Sequence, residues 1–308
     1  MRRVAALDCG TNSIRLLVTE LDPGDGGQHD LDRQMRIVRL GQDVDRTGRL
    51  GEQALERTIV ALREYVQVID DWGVEKVRMV ATSATRDAAN ADVFVEGVRS
   101  VLGVDPEVVS GDEEAWLSFT GATRDLGSEV PGPYLVVDIG GGSTEFVHGT
   151  EEPEAARSVD IGSVRLTERC FADDPPTSEQ VARARADIDA ALDDVAETVP
   201  LRGASSLIGL AGSVTTVGAI HLGLSAYDRD AIHHARVPVR GVAEISDRLL
   251  AASHDERAAI PVIHPGRVDV IAAGALILRC VAERAGVEEV VLSEHDILDG
   301  IAWSLVTT

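Results

Sequence analysis

Nowhere in this chain do about 18 or more apolar residues run together, so an ordinary membrane-spanning helix is excluded. Cysteine is scarce. Cys9, Cys170 and Cys280 are odd in number and far apart, which argues against a disulfide framework or a zinc site and points to a reducing, cytoplasmic setting. Positive charge is also scarce: 29 Lys and Arg stand against 52 Asp and Glu, a formal charge of −23. That excludes broad, sequence-independent nucleic-acid binding, which needs a basic surface. It leaves room for a polyanionic substrate, because a local cluster of Arg and backbone dipoles outweighs a distant field that salt screens. Met1-Arg2-Arg3 leads straight into a strand pattern, so no leader peptide is expected.

What is present is an ordinary globular composition, 44% hydrophobic and 26% charged over 308 residues. That length suggests two domains of about 150 residues each. Residues 1–41 read as three strands, with Asp22–Gly27 as a turn. Leu55, Ile59, Leu62, Val66 and Ile69 recur at helical spacing within 51–72. Val77–Ala81 reads as a buried strand, Asp92–Leu102 as a helix, Pro106–Val109 as a strand and Glu113–Asp125 as a helix. After Pro131-Gly132-Pro133 the pattern restarts. Strands are expected at 135–137, 145–148, 157–160, 205–210 and 289–292, and helices at 177–199, 214–221, 268–285 and 297–306. Trp72, Trp116 and Trp303 fall in helices and are expected to be buried. The repetition predicts two α/β lobes with a cleft between them: residues 1–125, and residues 126–295, with the final helix of 296–308 packing back on the first.

Two glycine turns of similar chemistry lie in corresponding places. Asp8-Cys9-Gly10-Thr11-Asn12-Ser13 follows the apolar run Val4–Leu7, and Asp138-Ile139-Gly140-Gly141-Gly142-Ser143-Thr144-Glu145 follows Tyr134–Val137. Glycine permits close backbone approach and φ > 0. Successive N–H groups in such a turn form a nest for phosphate oxygens. An aspartate beside a phosphate is repelled unless a cation or a proton intervenes, so Asp8 and Asp138 hint at a metal ion. The alternative for a strand-end aspartate such as Asp8 is to cap its own turn. Ala211-Gly212-Ser213 follows a buried strand and opens a helix, which suits an anion or close helix packing equally. Arg86 follows a strand, and its guanidinium is able to grip two phosphate oxygens at once. Arg15 fits the polar face of a strand. Ser13 and Ser143 have no paired His, which argues against a serine nucleophile. His233-His234 and His264 show no neighbouring ligand pattern in sequence, and Cys9 reads as a small packed side chain.

Four segments in order give the chain a resemblance. Asp8–Ser13, Thr82-Ser83-Ala84-Thr85-Arg86-Asp87-Ala88-Ala89-Asn90, Ser110-Gly111-Asp112-Glu113-Glu114-Ala115 and Asp138–Glu145 together are similar to the exopolyphosphatase/guanosine pentaphosphate phosphohydrolase (Ppx/GppA) family. Gly162-Ser163-Val164-Arg165 is also similar to a family element. The wider resemblance is to the actin-like ATPase superfamily. It implies α/β architecture with two actin-like, ribonuclease H-like lobes and an active-site cleft between them.

The resemblance implies a phosphoric anhydride hydrolase that removes terminal phosphate from inorganic polyphosphate, with Glu114 orienting and deprotonating the attacking water. Adjacent helix positions diverge by about 100°, so Glu113 and Glu114 cannot both face one site, and Glu113 suits the helix dipole. Asp138 and Glu145 are implied in catalysis and, with Asp8, in holding Mg²⁺ or another divalent cation. Gly10, Thr11, Asn12, Ser13, Arg86, Gly140, Gly141, Gly142, Ser143, Thr144, Gly212 and Ser213 are implied in phosphate binding. A cytoplasmic homodimer without nucleic-acid or membrane partners is implied too. The sequence ends at Thr308, without the C-terminal helical domain of longer relatives, and Ser293–Gly300 departs from their basic form, with only His295 as a partial replacement. Short polyphosphates are therefore the expected substrate. Guanosine pentaphosphate hydrolysis, a non-catalytic (p)ppGpp or polyphosphate sensor, and an ATP-dependent sugar- or acetate-kinase-like transferase stay open as alternatives. The Ser110–Glu114 element is unexplained in the last of these.

Overall fold

A computed structural model of the chain describes residues 1–24 and 27–306. Asp25 and Gly26 of the expected turn, and Thr307 and Thr308 of the C-terminal segment, lie outside the described residues. The architecture is α/β with two mixed sheets. The chain forms two compact units, Met1–Gly121 with Ile297–Thr308, and Ala122–Asp296.

In the first unit, β1 (Arg2–Cys9), β2 (Ser13–Leu21), β3 (Gln28–Ile37), β4 (Lys76–Ala81) and β5 (Glu107–Val108) form one sheet in the order β3-β2-β1-β4-β5. β1 is antiparallel to β2 and parallel to β4, and β4 is parallel to β5. A central strand covered on both faces has no polar side to show, which is why β1 reads Val-Ala-Ala-Leu without alternation. On one face Leu7, Ile14 and Leu16 meet Leu62 and Tyr65 of α1 (Glu52–Trp72) and Phe94 of α2 (Ala91–Leu102). On the other, Val4, Ala6, Leu17 and Leu21 meet Leu117 of α3 (Gly111–Thr123) and Ile301 and Trp303 of the C-terminal helix (Ile297–Ser304).

The second unit repeats this plan. β6 (Tyr134–Ile139), β7 (Thr144–Gly149), β8 (Pro153–Val159), β9 (Ser206–Leu210), β10 (Arg236–Pro238) and β11 (Glu289–Leu292) run in the order β10-β11-β9-β6-β7-β8. The series β8-β7-β6-β9-β11 has the strand directions of β3-β2-β1-β4-β5, with β10 added antiparallel at the edge. Its helices are α4 (Ser163–Cys170), α5 (Ser178–Ala196), α6 (Ala211–His221), α7 (Val239–Ala251) and α8 (Ile271–Ala285). Leu135, Val137 and Phe146 pack with Leu192, Val217, Leu249 and Leu276 in the core. α5 opens on a capping box in which Thr177 and Gln180 satisfy each other's backbone N–H groups. Among the described residues no helix is long and apolar enough to cross a membrane.

Three details differ from expectation. The strand expected over 106–109 is reduced to Glu107–Val108, both exposed at a sheet edge where only β4 offers hydrogen bonds. α4 and α7 were not among the expected helices, although Val242, Ile245 and Leu249 recur at helical spacing in α7. α4 is eight residues long, too short to display a period, and α7 begins directly after Pro238. Trp116 is half exposed (50%), not buried, because α3 turns Ala115, Leu117 and Phe119 inward instead.

The C-terminal helix lies close enough to α3 that a Cβ at Gly300 would stand 2.0 Å from the Leu117 carbonyl oxygen. The obstruction is backbone, so it cannot rotate away. Gly300→Ala is expected to cost about 1–3 kcal/mol through overpacking, read as a lower denaturant midpoint. An unchanged midpoint would show that this close approach is not required.

Candidate active site

In each sheet the candidate residues sit at the carboxyl ends of parallel strands, where α/β sheets place ligands. In the first unit the turn Gly10–Ser13 follows β1, Thr82–Arg86 follows β4, and α3 follows β5. Gly10 N–H donates to the Ser13 carbonyl (3.0 Å) and closes the turn. The Thr11 hydroxyl is hydrogen-bonded to that of Ser83 (2.9 Å), joining two of these segments. The carbonyls of Thr11 and Asn12 are held from behind: Gly41 N–H donates to the first (2.8 Å), and the N–H groups of Val38 and Arg39 to the second (3.0 and 2.9 Å).

Glu113 and Glu114 diverge as their helical positions require. Glu113 accepts from Arg78 Nη2 (2.9 Å) and is exposed, whereas Glu114 is buried at 8% exposure. The Ser110 hydroxyl accepts from the Glu113 N–H (3.2 Å) at the start of α3. Glu114 Oε2 accepts from Arg86 Nη1 (3.1 Å), which also donates to the Val109 carbonyl (3.0 Å). Arg86 therefore does not form the surface pair with Asp87 that adjacency suggests. It fixes the Glu114 carboxylate, while its Nε and Nη2 donate to no group among the described residues.

The two hairpins differ at one informative position. Asp8 lies directly across from Arg15 on β1 and β2, and Asp138 directly across from Glu145 on β6 and β7. Asp8 Oδ2 accepts from Arg15 Nε and Nη2 (2.9 and 2.7 Å), so this carboxylate has its counter-charge within the chain. In the second hairpin two carboxylates, 6% and 1% exposed, share one face of adjacent strands. Like charges placed directly opposite are destabilising. Glu145 Oε1 accepts from the Ser158 hydroxyl (2.7 Å). A buried pair of oxygen donors with this repulsion fits a hard divalent cation.

The second turn, Gly140–Ser143, follows β6, and Gly140 N–H donates to the Ser143 carbonyl at 3.0 Å, as in the first. The N–H groups of Gly141, Gly142 and Ser143 donate to no group among the described residues. Three consecutive N–H groups of this kind make an anion nest. The Thr144 hydroxyl is not available in the same way, since it donates to the Ile161 carbonyl (2.6 Å). Gly212 and Ser213 follow β9, the parallel neighbour of β6. Ala211 before them has φ 67, in the left-handed region, where a residue with a Cβ is strained. The Arg267 guanidinium packs so tightly on Gly212 that an added Cβ would lie 2.1 Å from Cζ. Arg267 carries no local signal in sequence, because it lies in the Pro265–Arg267 turn with no pattern around it.

His233 and His295 converge on Asp125, a carboxylate 108 residues from His233 that no local pattern could reveal. Asp125 Oδ2 accepts from His233 Nε2 (2.8 Å) and His295 Nδ1 (2.9 Å). Burial pushes the Asp125 carboxyl up, but the hydrogen bonds from the two histidines outweigh it and hold the group well below the usual carboxylate range. Although three ligand atoms meet here, Glu294 N–H donates to His233 Nδ1 (3.1 Å), so Nε2 carries the ring hydrogen. A metal ligand needs the opposite tautomer. His295 thus serves in a hydrogen-bonded cluster with Asp125. His264 Nδ1 accepts from Gly266 N–H (3.0 Å).

Comparison with known proteins supplies the family. The profile of the Ppx/GppA phosphatase family matches residues 18–308. The chain belongs to that family. It is 49% identical to Exopolyphosphatase 2 of Mycobacterium tuberculosis, over 99% of each chain. Its fold matches an exopolyphosphatase-like protein of known structure with a TM-score of 0.94 and 42% identity, over 98% of both chains. It matches the Aquifex aeolicus Ppx/GppA family member with a TM-score of 0.83 and 32% identity, over 99% of this chain and 98% of that one.

Proposed function

We propose that this protein is an exopolyphosphatase that releases terminal phosphate from inorganic polyphosphate. The observation that carries the reading is the buried Glu114 carboxylate fixed by Arg86 at the carboxyl ends of the parallel strands of the first sheet, in a chain 49% identical to an exopolyphosphatase. Glu114 accepts the proton of the attacking water. Arg86, through its remaining N–H groups, and the N–H nest of Gly141–Ser143 each offer donors for phosphate oxygens. Phosphoryl transfer depends mainly on such positioning and charge stabilisation. Asp138 and Glu145 would hold a divalent cation, most simply Mg²⁺, which neutralises charge on phosphate oxygens when bound. Asp8, neutralised by Arg15, orients its own hairpin, and the cation belongs to the second pair.

Phosphate release from defined polyphosphates, run beside guanosine pentaphosphate, tests the reading. Release from polyphosphate is the expected result. Release from guanosine pentaphosphate alone would assign the nucleotide reaction, and binding without release would assign a sensor.

Short chains are the expected substrates. Each phosphate beyond the few that such donors hold meets a protein of net charge −23. Values of kcat/KM per chain end should therefore plateau early across a ladder of lengths at fixed ionic strength. A continuing rise to hundreds of phosphates would overturn this expectation.

A further inference from the structure

The second glycine turn is gripped from one side by the start of α4. Ser163 N–H donates to the Gly140 carbonyl (2.9 Å), and the N–H groups of Val164 and Arg165 donate to the Gly141 carbonyl (2.9 and 3.1 Å). These are N–H groups that a helix leaves unsatisfied in its first turn. Here they are spent on the turn, not on a ligand. With both carbonyls directed into α4, the turn is held in the peptide orientation that leaves the N–H groups of Gly141, Gly142 and Ser143 for a phosphate.

The approach is as close as backbones allow. A Cβ at Gly162 would stand 2.4 Å from the Gly141 oxygen, 2.5 Å from its carbonyl carbon and 2.6 Å from Gly142 nitrogen. Gly162 has φ −149 and ψ 165, extended backbone that any residue adopts, so glycine is required there for space alone. A second contact sits behind the first. A Cβ at Gly274 of α8 would meet Ser213 Oγ at 2.2 Å and Ser163 Cβ at 3.4 Å. α8 thus backs both the start of α4 and the start of α6, and sets the spacing between the turn and Gly212-Ser213.

We infer that Gly162 and Ser163 are positioning residues for phosphate binding, acting through the peptide orientation of Gly140–Ser143. The inference rests on the phosphohydrolase reading above. A displacement of the order of 1 Å at a binding turn costs about 10²-fold in rate.

The test is Gly162→Ala, with Ser163→Pro beside it. Proline suits the first helical position, and Gly162 before it is already extended, so Ser163→Pro removes the N–H donated to Gly140 without opposing the helix. Tripolyphosphate hydrolysis gives kcat and KM, calorimetry gives tripolyphosphate affinity, and melting reports folding. The expected result is weaker tripolyphosphate binding and a raised KM, with kcat/KM down by about 10²-fold and a melt that stays cooperative, its midpoint lowered in Gly162→Ala by the same kind of overpacking as in Gly300→Ala. Unchanged kcat and KM would overturn the inference. So would a fall in kcat alone with affinity intact, or loss of cooperative melting in both variants, which would make the pair a folding element. If the unmodified protein binds tripolyphosphate without hydrolysing it, the catalytic reading fails while the affinity change still decides this one. If it does neither, both fall.

Discussion

Glu114→Gln is expected to lower polyphosphate hydrolysis by about 10²–10⁴-fold, the usual effect of losing a general base, while substrate affinity stays close to that of the unmodified chain. The amide keeps the size of the side chain, and its carbonyl oxygen still accepts from Arg86 Nη1, now at 3.1 Å from the carboxylate. What disappears is the capacity to take a proton from water. Glu113→Gln is the internal control, since it loses only a pair with Arg78 on an exposed side chain, an interaction worth little in solvent. Retention of more than half the turnover by Glu114→Gln would remove Glu114 from the base position. Equal losses in both variants would point to damage at the start of α3 instead of lost chemistry.

Removal of divalent cations is expected to abolish turnover, and Mg²⁺ to restore it. The physical reason lies in the contrast between the hairpins. Asp8 faces an arginine, whereas Asp138 faces Glu145, and both members of that acidic pair are buried. A polyanion brought to the second pair adds negative charge beside two carboxylates, and a divalent cation held there offsets it. A cation that binds the folded state alone raises the melting temperature by mass action, so binding is readable without any activity. Asp138→Asn and Glu145→Gln should each reduce this thermal shift and lower turnover by about 10²–10³-fold, the scale seen when one preorganised electrostatic group is removed. Full turnover after exhaustive chelation, or an undiminished thermal shift in both variants, would rule the assignment out.

Much of the site was legible because its parts are local. A strand-end carboxylate followed by glycine and hydroxyl residues is a contiguous signal, and it marked Asp8–Ser13 and Asp138–Glu145 directly. Glu114 was separable from Glu113 by helical rotation and by the resemblance of its segment. The meaning of the two carboxylate hairpins was less visible. Arg15 was legible as a polar-face strand residue, but its bond to Asp8 depends on cross-strand register. Arg86 is legible as a phosphate ligand from its guanidinium and the resemblance of its segment, but its bond to Glu114 depends on a separation of 28 residues closing in space.

Local pattern by itself determined the alternation of buried strands with amphipathic helices, the restart after Pro131-Gly132-Pro133, and the two turns. These follow from backbone sterics and from the period with which apolar side chains recur, and both are properties of short segments. Tertiary structure alone decided the contacts between distant segments. It seated the start of α4 on the carbonyls of Gly140 and Gly141, laid Arg267 over Gly212, and brought His233 and His295 to Asp125. Hydrogen bonds and close packing are short-ranged in space and indifferent to separation along the chain, so no window of sequence contains them.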